Sequence, residues 1–188
     1  MGTRSRWTCN VDTRQLRLRP TMTSDIGFVL SVEQDPACRP HITPWDRTQH
    51  EGAVRFPDFR HFIVEAGAGT QAVGFVILQG CRSRHRSVEL KRMVIRTQGQ
   101  GLGRHCLRQL KTMAFRDLHA HRFWLDVKAL NTRAQAFYAS EGFIEEGRLR
   151  ESVRLTDEAG AGAYDSLVVM SLLDREYEAR LALGQEAD

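Results

Sequence analysis

The sequence predicts an α+β fold with a mixed, mostly antiparallel central sheet and helices on both faces. Three strand-like runs, at residues 59–66, 71–80 and 87–96, follow one another with only short turns between them, which is typical of antiparallel hairpins. A helical pattern at 104–119 then separates the third run from another strand at 121–129. Because such a strand–helix–strand unit forms a right-handed crossover, the strands on either side of the helix are expected to be parallel.

The N-terminal part of the chain adds one strand, two helices and an irregular segment. Residues 15–19 alternate in polarity and predict a strand that ends at Pro20, and residues 21–34 combine helix-starting side chains with an apolar face. Residues 35–46 contain three prolines and are expected to be irregular. Trp45 in this segment could line a pocket or pack a simple connector. A short helix is expected after it, over residues 47–56.

The C-terminal part predicts a helix, a strand pair and a tail. The helix over 131–141 has Asn131 as a candidate N-cap and Gly142 as its stop signal. Two strands, 143–154 and 164–173, are joined by a turn-rich segment, and a short polar helical tail follows. We expect one domain over residues 1–188, with a core of about 15–173 and a tail at 174–188.

The composition excludes several classes of protein. The chain has 188 residues, 41% hydrophobic and 27% charged, which is ordinary for a globular domain. No apolar run is long enough to span a membrane, and no cysteine and histidine set has zinc-ligand spacing. The net charge of +4 is not arranged in a basic stripe with aromatic residues. We therefore expect a cytoplasmic protein that binds neither metal nor nucleic acid nor membrane.

A glycine loop stands between the strand 87–96 and the helix that follows it. Gly99, Gly101 and Gly103 allow the main chain to approach a ligand closely, and the start of the helix offers unpaired N–H groups. The loop is not a P-loop, because Arg104 stands where that motif needs a lysine. Its spacing also differs from the dinucleotide fingerprint. The pattern therefore favours a different pyrophosphate ligand over a purely structural turn.

Several motifs resemble the GNAT acetyltransferases. The stretch 98–103, QGQGLG, matches the family's Q/R-x-x-G-x-G/A signature. Asn131, Ala134, Tyr138 and the residues 142–143 resemble its N-x-x-A-x-x-x-Y-x-x-x-G-F stretch. Residues further on are similar to the branch that contains ribosomal-protein N-terminal acetyltransferases. The resemblance covers roughly residues 15–173.

The resemblance implies a GNAT-type sheet whose parallel strands splay apart after a bulge, with acetyl-CoA bound in the gap as co-substrate. It assigns the pantetheine and thioester contacts to main chain near Met93, Val94 and Ile95 and the pyrophosphate contacts to the glycine loop. The implied cofactor-binding residues are Met93, Val94, Ile95, Gln98, Gly99, Gln100, Gly101, Leu102, Gly103, Arg104, Asn131 and Tyr138. For Asn131 the alternative is a simple N-cap.

The resemblance also implies three candidate catalytic residues. Asp126 lies on the polar face of its strand, Glu89 lies near the start of strand 87–96, and either could take the proton of the amine. The alternative for each carboxylate is a structural role, in an ion pair with a neighbouring arginine or lysine. Tyr138 aligns with a tyrosine that protonates or hydrogen-bonds the CoA sulfur in many relatives, and its alternative role is packing.

The expected function is transfer of an acetyl group from acetyl-CoA to a primary amine by direct attack in a ternary complex. The acceptor is either a small-molecule amine or a protein N-terminus, and the sequence does not choose between them. A non-catalytic acyl-CoA sensor on the same fold is the alternative. A homodimer through the last strands or the tail is also possible.

Overall fold

The computed structural model describes residues 16–67, 70–97, 99–155 and 162–186. These residues form seven strands and five α-helices. The elements are β1 (Arg17–Pro20), α1 (Ile26–Glu33), α2 (Arg47–Arg55), β2 (Arg60–Ala66), β3 (Gln71–Gln79), β4 (Ser87–Ile95), α3 (Leu102–Thr112), β5 (Arg122–Lys128), α4 (Thr132–Ser140), β6 (Ile144–Arg154), β7 (Tyr164–Leu173) and α5 (Asp174–Ala182). The expectation of a single domain over 1–188 extends beyond the described ranges and stays a prediction.

All seven strands belong to one sheet, in the order β1-β2-β3-β4-β5-β7-β6. The pairing of β4 with β5 is parallel, and the other five pairings are antiparallel. The hairpins β2–β3 and β3–β4 and the crossover through α3 confirm the mixed, mostly antiparallel sheet. They follow from local turns and from the length of α3, both of which the sequence makes visible.

The parallel pair separates after three residues. Ser87, Val88 and Glu89 of β4 pair with residues 122–124 of β5, and their register ends there. A bulge follows on the other edge of β4, where Leu78 pairs with Leu90 but Ile77 pairs with Arg92. The extra residue between them shifts the alternation, so that Arg92 lies on the same face of the sheet as Glu89.

Two apolar cores cover the two faces of the sheet. On one face, which we call the α3 face, buried residues of α3 such as Leu107 and Leu110 pack with Phe123 and with Tyr177 of α5. On the other, the α1 face, Val29 and Val32 of α1 pack against β2, β3 and β4. The helices therefore lie on both faces of the sheet, as predicted.

Helix α3 differs from its prediction at both ends. It begins at Leu102 rather than at 104, so Gly103 lies inside its first turn instead of in the loop. At its C-terminal end a π-helical turn covers Met113–Asp117. The apolar spacing of this stretch also fits a continuing α-helix, which is why the sequence predicted one long helix.

One segment is more ordered than expected, and the helical tail, present as predicted, packs on the core. The proline-containing segment includes a 3-10 turn at Arg39–His41, with proline near its start. The predicted polar tail forms α5, which packs on the α3 face through Tyr177, whose ring stacks on Phe115 at 4.7 Å between centroids. Within the described ranges, no helix has the length and apolar character needed to cross a membrane. Those same ranges contain no cluster of three or more histidine, cysteine or acidic side chains arranged for a metal ion.

Candidate active site

The separation of β4 and β5 leaves a gap in the sheet that is lined by unpaired main chain. Met93, Val94 and Ile95, predicted as main-chain contacts, lie on β4 beyond the last residue that pairs with β5. Val94 packs into the core of the α1 face, whereas Met93 and Ile95 pack toward the α3 face. Their side chains are thus occupied in packing, and their N–H and C=O groups toward β5 have no strand partner in the described part of the chain.

Gly74 of β3 lies directly beside this stretch, and the sequence analysis did not identify it. A Cβ atom at Gly74 would lie 2.0 Å from the carbonyl oxygen of Val94. Only glycine lets β3 approach β4 this closely. An isolated glycine within an otherwise apolar strand was the available signal.

The glycine loop turns the chain into the N-terminus of α3. Gly99 and Gly101 have φ values of 80° and 74°, and Gly101 is the N-cap of the helix. The main-chain N–H groups of Arg104 and His105 bond to the Gly101 carbonyl at 2.9 and 3.2 Å. The earlier N–H groups of the first turn have no intrahelical carbonyl and are available to an anion.

Two of the predicted loop residues have a limited role or lie outside the structure described. The Leu102 side chain is buried in the core of the α3 face, so only its main chain can face a ligand. Gln98 lies outside the described residues. Gln100 is half-buried within the loop.

Arg104, predicted to contact pyrophosphate, is held by a carboxylate that the sequence analysis missed. Its Nε lies 2.7 Å from Oε1 of Glu141, which is itself almost fully buried. Lys111 of α3, also buried, donates to the main-chain oxygen and to Oε2 of Glu141, each at 3.1 Å. Burial acts to raise the pKa of Glu141, but the hydrogen bond and charge of Lys111, with the nearby arginines, hold it below its ordinary value. Glu141 therefore carries a negative charge that orients Arg104.

The same cluster of charged side chains joins the segment after α5 to helix α3. Glu186 forms ion pairs with Lys111 and, at 2.7 Å, with Arg180 of α5. Lys111 is thereby shared by two carboxylates, which compensates for its complete burial. The signal for this cluster was a lysine on the apolar face of α3, which the sequence pattern shows but does not pair with a partner.

The two candidate bases, Glu89 and Asp126, lie on the α1 face at the point where the strands separate. Glu89 is 8% exposed and accepts a hydrogen bond of 3.0 Å from Lys91 Nζ. Burial raises the pKa of Glu89; Lys91 opposes the rise and the charge of Asp126 adds to it. The structure thus brings these two carboxylates close enough for their charges to interact.

Tyr138 of α4 lies on the opposite face of the gap. Its ring contacts the rings of Phe137 and Phe143, with centroid distances of 5.2 and 5.8 Å, and it packs against the core of the α3 face. Burial raises the pKa of its hydroxyl above the ordinary value, and the charge of Asp126 adds to this. The hydroxyl is therefore a neutral proton donor at pH 7.

Asn131 caps α4, as the sequence predicted. Its side-chain oxygen accepts a hydrogen bond of 3.2 Å from the N–H of Ala134. Nearby, Gln135 Nε2 donates to the carbonyl oxygens of Lys128 and Ala129, at 3.1 and 2.9 Å. This contact, which the sequence analysis missed, fixes α4 against the end of β5 and so places Tyr138 beside the gap.

A segment that we call the strap, residues 39–45, crosses the α1 face over the gap. Lys128 Nζ of β5 donates to the carbonyl oxygen of Pro40, and Arg92 of β4 donates to that of Thr43. The Trp45 ring lies over the Arg92 guanidinium, 5.2 Å from it. Trp45 therefore packs this segment, and its role in lining a pocket stays a prediction.

Comparison with known proteins agrees with this architecture. Residues 15–144 match the Acetyltransferase (GNAT) domain family. The spermidine N(1)-acetyltransferase of Vibrio cholerae serotype O1 is 30% identical over 174 residues, covering 87% of this chain and 95% of that protein. The putative ribosomal N-acetyltransferase YdaF of Bacillus subtilis is 28% identical over 106 residues, covering 56% of this chain and 55% of YdaF.

The fold is also similar to solved structures. The crystal structure of spermidine N-acetyltransferase from Vibrio cholerae in complex with CoA and spermine has a TM-score of 0.76 and 25% identity, and the match covers 88% of this chain and 99% of that one. A dodecameric structure of the same enzyme matches with a TM-score of 0.73 and covers 89% of this chain and 98% of that one, at 24% identity.

Proposed function

The chain belongs to the GNAT acetyltransferase family, and we propose that its acceptor is the primary amine of a small molecule rather than a protein N-terminus. Transfer of an acetyl group from acetyl-CoA to an amine is the activity shared with its relatives. The observation that carries the choice of acceptor is the strap, because it is fastened to both strands that border the gap.

A fastened strap limits the size of the acceptor. It covers the α1 face of the gap, where Glu89 and Asp126 lie, and it is bonded to β4 through Arg92 and to β5 through Lys128. A peptide chain needs an open groove to bring its terminal amine to these carboxylates. A small amine needs only a pocket beneath the strap, and a polyamine is the first acceptor to test because spermidine is the substrate in the name of the Vibrio cholerae relative.

The donor side of the proposed site follows from the main chain. Acetyl-CoA supplies the thioester whose acetyl group is transferred. The N–H groups at the start of α3 and the loop at Gly99 and Gly101 would bind its pyrophosphate, and no atom lies within 4 Å of an added Cβ at either glycine, so the loop has open space beside it. An unpaired N–H in the stretch 93–95 would bind the thioester oxygen and stabilise the negative charge that develops there. Asn131 is proposed to order this side of the site in addition to capping α4.

Glu89 is proposed as the base. The amine nitrogen attacks the thioester carbon, a C–N bond forms, the C–S bond breaks, and the nitrogen loses one proton. Because burial raises the pKa of Glu89, this carboxylate holds a proton more readily than an exposed one, which suits a base working near neutral pH. Asp126 is the alternative base, and its charge also favours a cationic amine in the approach to the site.

Tyr138 is proposed as the acid that protonates the departing sulfur. It packs on the α3 face, across the gap from the carboxylates. Its raised pKa keeps the hydroxyl protonated, so it is available as a donor to the sulfur while negative charge develops there and the C–S bond breaks. This arrangement separates the proton acceptor and the proton donor on the two faces of the sheet.

The proposal is tested by an acceptor panel assayed for released CoA thiol. We expect turnover with spermidine or another alkyl amine and none with peptides that carry a free N-terminus. Turnover with the peptides alone would overturn the choice of a small acceptor. Thermal stabilisation by acetyl-CoA without turnover of any amine would instead favour the acyl-CoA sensor.

Tyr138→Phe tests the acid role. We expect kcat to fall about 100-fold, a typical contribution of general acid catalysis, while the thermal shift produced by acetyl-CoA stays the same. An equal loss of activity and of acetyl-CoA binding would assign Tyr138 to packing alone. The homodimer and the cytoplasmic location expected from the sequence stay predictions.

A further inference from the structure

Two cations fasten the strap, one from each strand that borders the gap. Lys128 Nζ at the end of β5 donates to the carbonyl oxygens of Pro40 and Ile42, at 3.0 and 3.3 Å. Arg92, just after the bulge in β4, donates from one guanidinium nitrogen to the carbonyl oxygen of Thr43 at 2.7 Å. All three acceptors are main-chain oxygens, so the side chains of the strap do not have to make these contacts.

The contact between Arg92 and the strap is rigid because the Arg92 guanidinium also contacts Glu33 and the ring of Trp45. Its other terminal nitrogen forms an ion pair with Glu33 of α1, and both side chains are almost completely buried. The other oxygen of Glu33 accepts a hydrogen bond of 2.7 Å from the main-chain N–H of Trp45, whose ring covers the guanidinium. One end of the strap is thereby locked to α1 and β4.

A buried pair of histidines, His50 and His61, lies next to Glu33. His50 Nε2 lies 3.4 Å from Glu33 Oε2, and His50 Nδ1 lies 3.2 Å from Nε2 of His61. His61 Nδ1 completes the chain with the Thr21 hydroxyl at 2.9 Å. Burial acts to raise the pKa of Glu33, but its contacts with His50 and Arg92 and the N–H of Trp45 hold it below the ordinary value, so the carboxylate keeps its charge.

The Lys128 fastening is of a different kind. Lys128 is half-buried rather than fully buried, and it lies two residues beyond Asp126 on the same face of β5. Its contacts reach the start and the middle of the strap, on the side of the gap away from Arg92. The position of the strap above Asp126 therefore depends on Lys128, while the position above Glu89 depends on Arg92.

We propose that Lys128 and Arg92 are positioning residues that set the height of the strap above the gap and thereby the affinity for the acceptor amine. The inference rests on the proposed function, because it treats the α1 face of the gap as the entrance for the amine. Acetyl-CoA is proposed to bind through the glycine loop, the first turn of α3 and main-chain groups of residues 93–95, none of which is bonded to the strap by the contacts above, so its affinity should change little when the strap moves.

The test uses Lys128→Met, since replacing Arg92 would leave the buried Glu33 without its partner and unfold the region. Lys128→Met keeps the length of the side chain and removes the charged donor. We expect the KM for the amine to rise about tenfold, as for the loss of a hydrogen bond from a charged group. The KM for acetyl-CoA and kcat should change less than about twofold, well below that tenfold effect. Lys128→Arg should restore the KM for the amine.

The matched control is Arg82→Met, which removes one positive charge from an exposed turn far along the chain from the strap. It should leave both KM values unchanged. A similar rise in the KM for the amine in this control would assign the effect to net charge and overturn the positioning role.

Hydrogen exchange provides a readout that does not depend on activity. The N–H of His41 is bonded to the Cys38 carbonyl beside the Lys128 contacts, whereas that of Trp45 is bonded to Glu33 at the Arg92 end. In Lys128→Met the N–H of His41 should exchange several-fold faster, while that of Trp45 and those of α3 are unaffected. Unchanged exchange, or faster exchange with an unchanged KM for the amine, would overturn the inference. Absence of turnover with every amine in the wild type would overturn the proposed function instead, and the exchange result would still decide whether Lys128 fastens the strap.

Discussion

Lys91 controls the charge state of the proposed base, and its removal gives the sharpest test of the mechanism. Lys91 Nζ lies 3.0 Å from Glu89 Oε1 and lowers the pKa of a carboxyl group that burial raises. The substitution Lys91→Met removes the positive charge and the hydrogen bond but keeps the length of the side chain. The pKa of Glu89 should therefore rise further.

The size of the shift follows from the distance and the solvent exposure of the pair. Two unit charges 3.0 Å apart interact by about 1.4 kcal/mol at the dielectric constant of water, which corresponds to about one pKa unit. The water value is a lower bound, because the Glu89 side chain is only 10% exposed whereas that of Lys91 is 30% exposed. We expect the acidic limb of the pH profile of kcat to move upward by at least about one pH unit.

The assay is CoA thiol release at saturating acetyl-CoA and amine over a range of pH. Below the limb, kcat of Lys91→Met should be about tenfold lower than that of the wild type, and above it the two should agree. The same acceptor is used with every variant, so protonation of the acceptor amine affects all the pH profiles equally and does not change the differences between them. Lys91→Arg keeps the charge and serves as the matched control, and Glu89→Gln should remove the limb.

A pH profile that does not move in Lys91→Met would refute the assignment of Glu89 as the base. If Asp126→Asn then removed the limb while Glu89→Gln kept it, Asp126 would be the base. The comparison of four variants thus separates the two carboxylates that the sequence left as alternatives.

Three further predictions concern stability, measured by chemical denaturation. Gly101→Ala should destabilise the fold by about 1–2 kcal/mol because residue 101 has a left-handed φ of 74°. The control is Gly103→Ala, whose added Cβ would lie 4.0 Å from the nearest side-chain atom and which should be neutral or stabilising by about 0.5–1 kcal/mol. Equal effects of the two substitutions would contradict the assigned loop geometry. Gly74→Ala should cost about 1–3 kcal/mol or more, because its Cβ would meet the Val94 carbonyl oxygen at 2.0 Å, while Gly52→Ala in α2, with no atom within 4 Å of the added Cβ, is the control that should not destabilise. Burial and the charge of His50 lower the pKa of His61 from 6.5 to about 4. As the pH falls, the unfolded chain binds this proton before the folded chain does, so the free energy of unfolding should be full above pH 6.5 and fall by about 3 kcal/mol toward pH 4. His61→Gln should flatten this dependence, and the exposed His85→Gln should not.

The sequence predicted those parts of the fold that depend on neighbouring residues. The hairpins between residues 60 and 95 follow from alternation and short turns, and the parallel pair follows from the length of the crossover. The cap of α4 by Asn131 and its stop at Gly142, with a φ of 95°, are likewise local. In each case the residues that decide the structure lie within one or two turns of one another in the chain.

The bulge in β4 shows where such local reasoning stops. Apart from the family resemblance, which implies a bulge, nothing in the sequence around Lys91 distinguishes a bulge from a regular strand, because the choice depends on the register with β3. Without the bulge, Arg92 would face the α3 core, where it has no partner. With it, Arg92 reaches Glu33, which precedes it in the chain by 59 residues. The burial of a charged pair at such a separation is visible only in the fold.

The same reasoning explains why the sequence offers a hypothesis for the donor side of the proposed site and none for its acceptor side. The proposed donor contacts are main-chain groups whose positions depend on glycines and on a helix start, and these have a sequence signature. The proposed acceptor side depends on the strap, which is bonded to Arg92 and Lys128 across separations of 49 and 88 residues. Its fastening uses carbonyl oxygens, which every residue carries, so the strap sequence is free to vary without losing its anchors. Acceptor specificity can therefore change through the side chains of residues 39–45 while Lys128 and Arg92 keep the strap in place. Grafting another strap sequence between these anchors should alter the choice of amine and leave the KM for acetyl-CoA as it is.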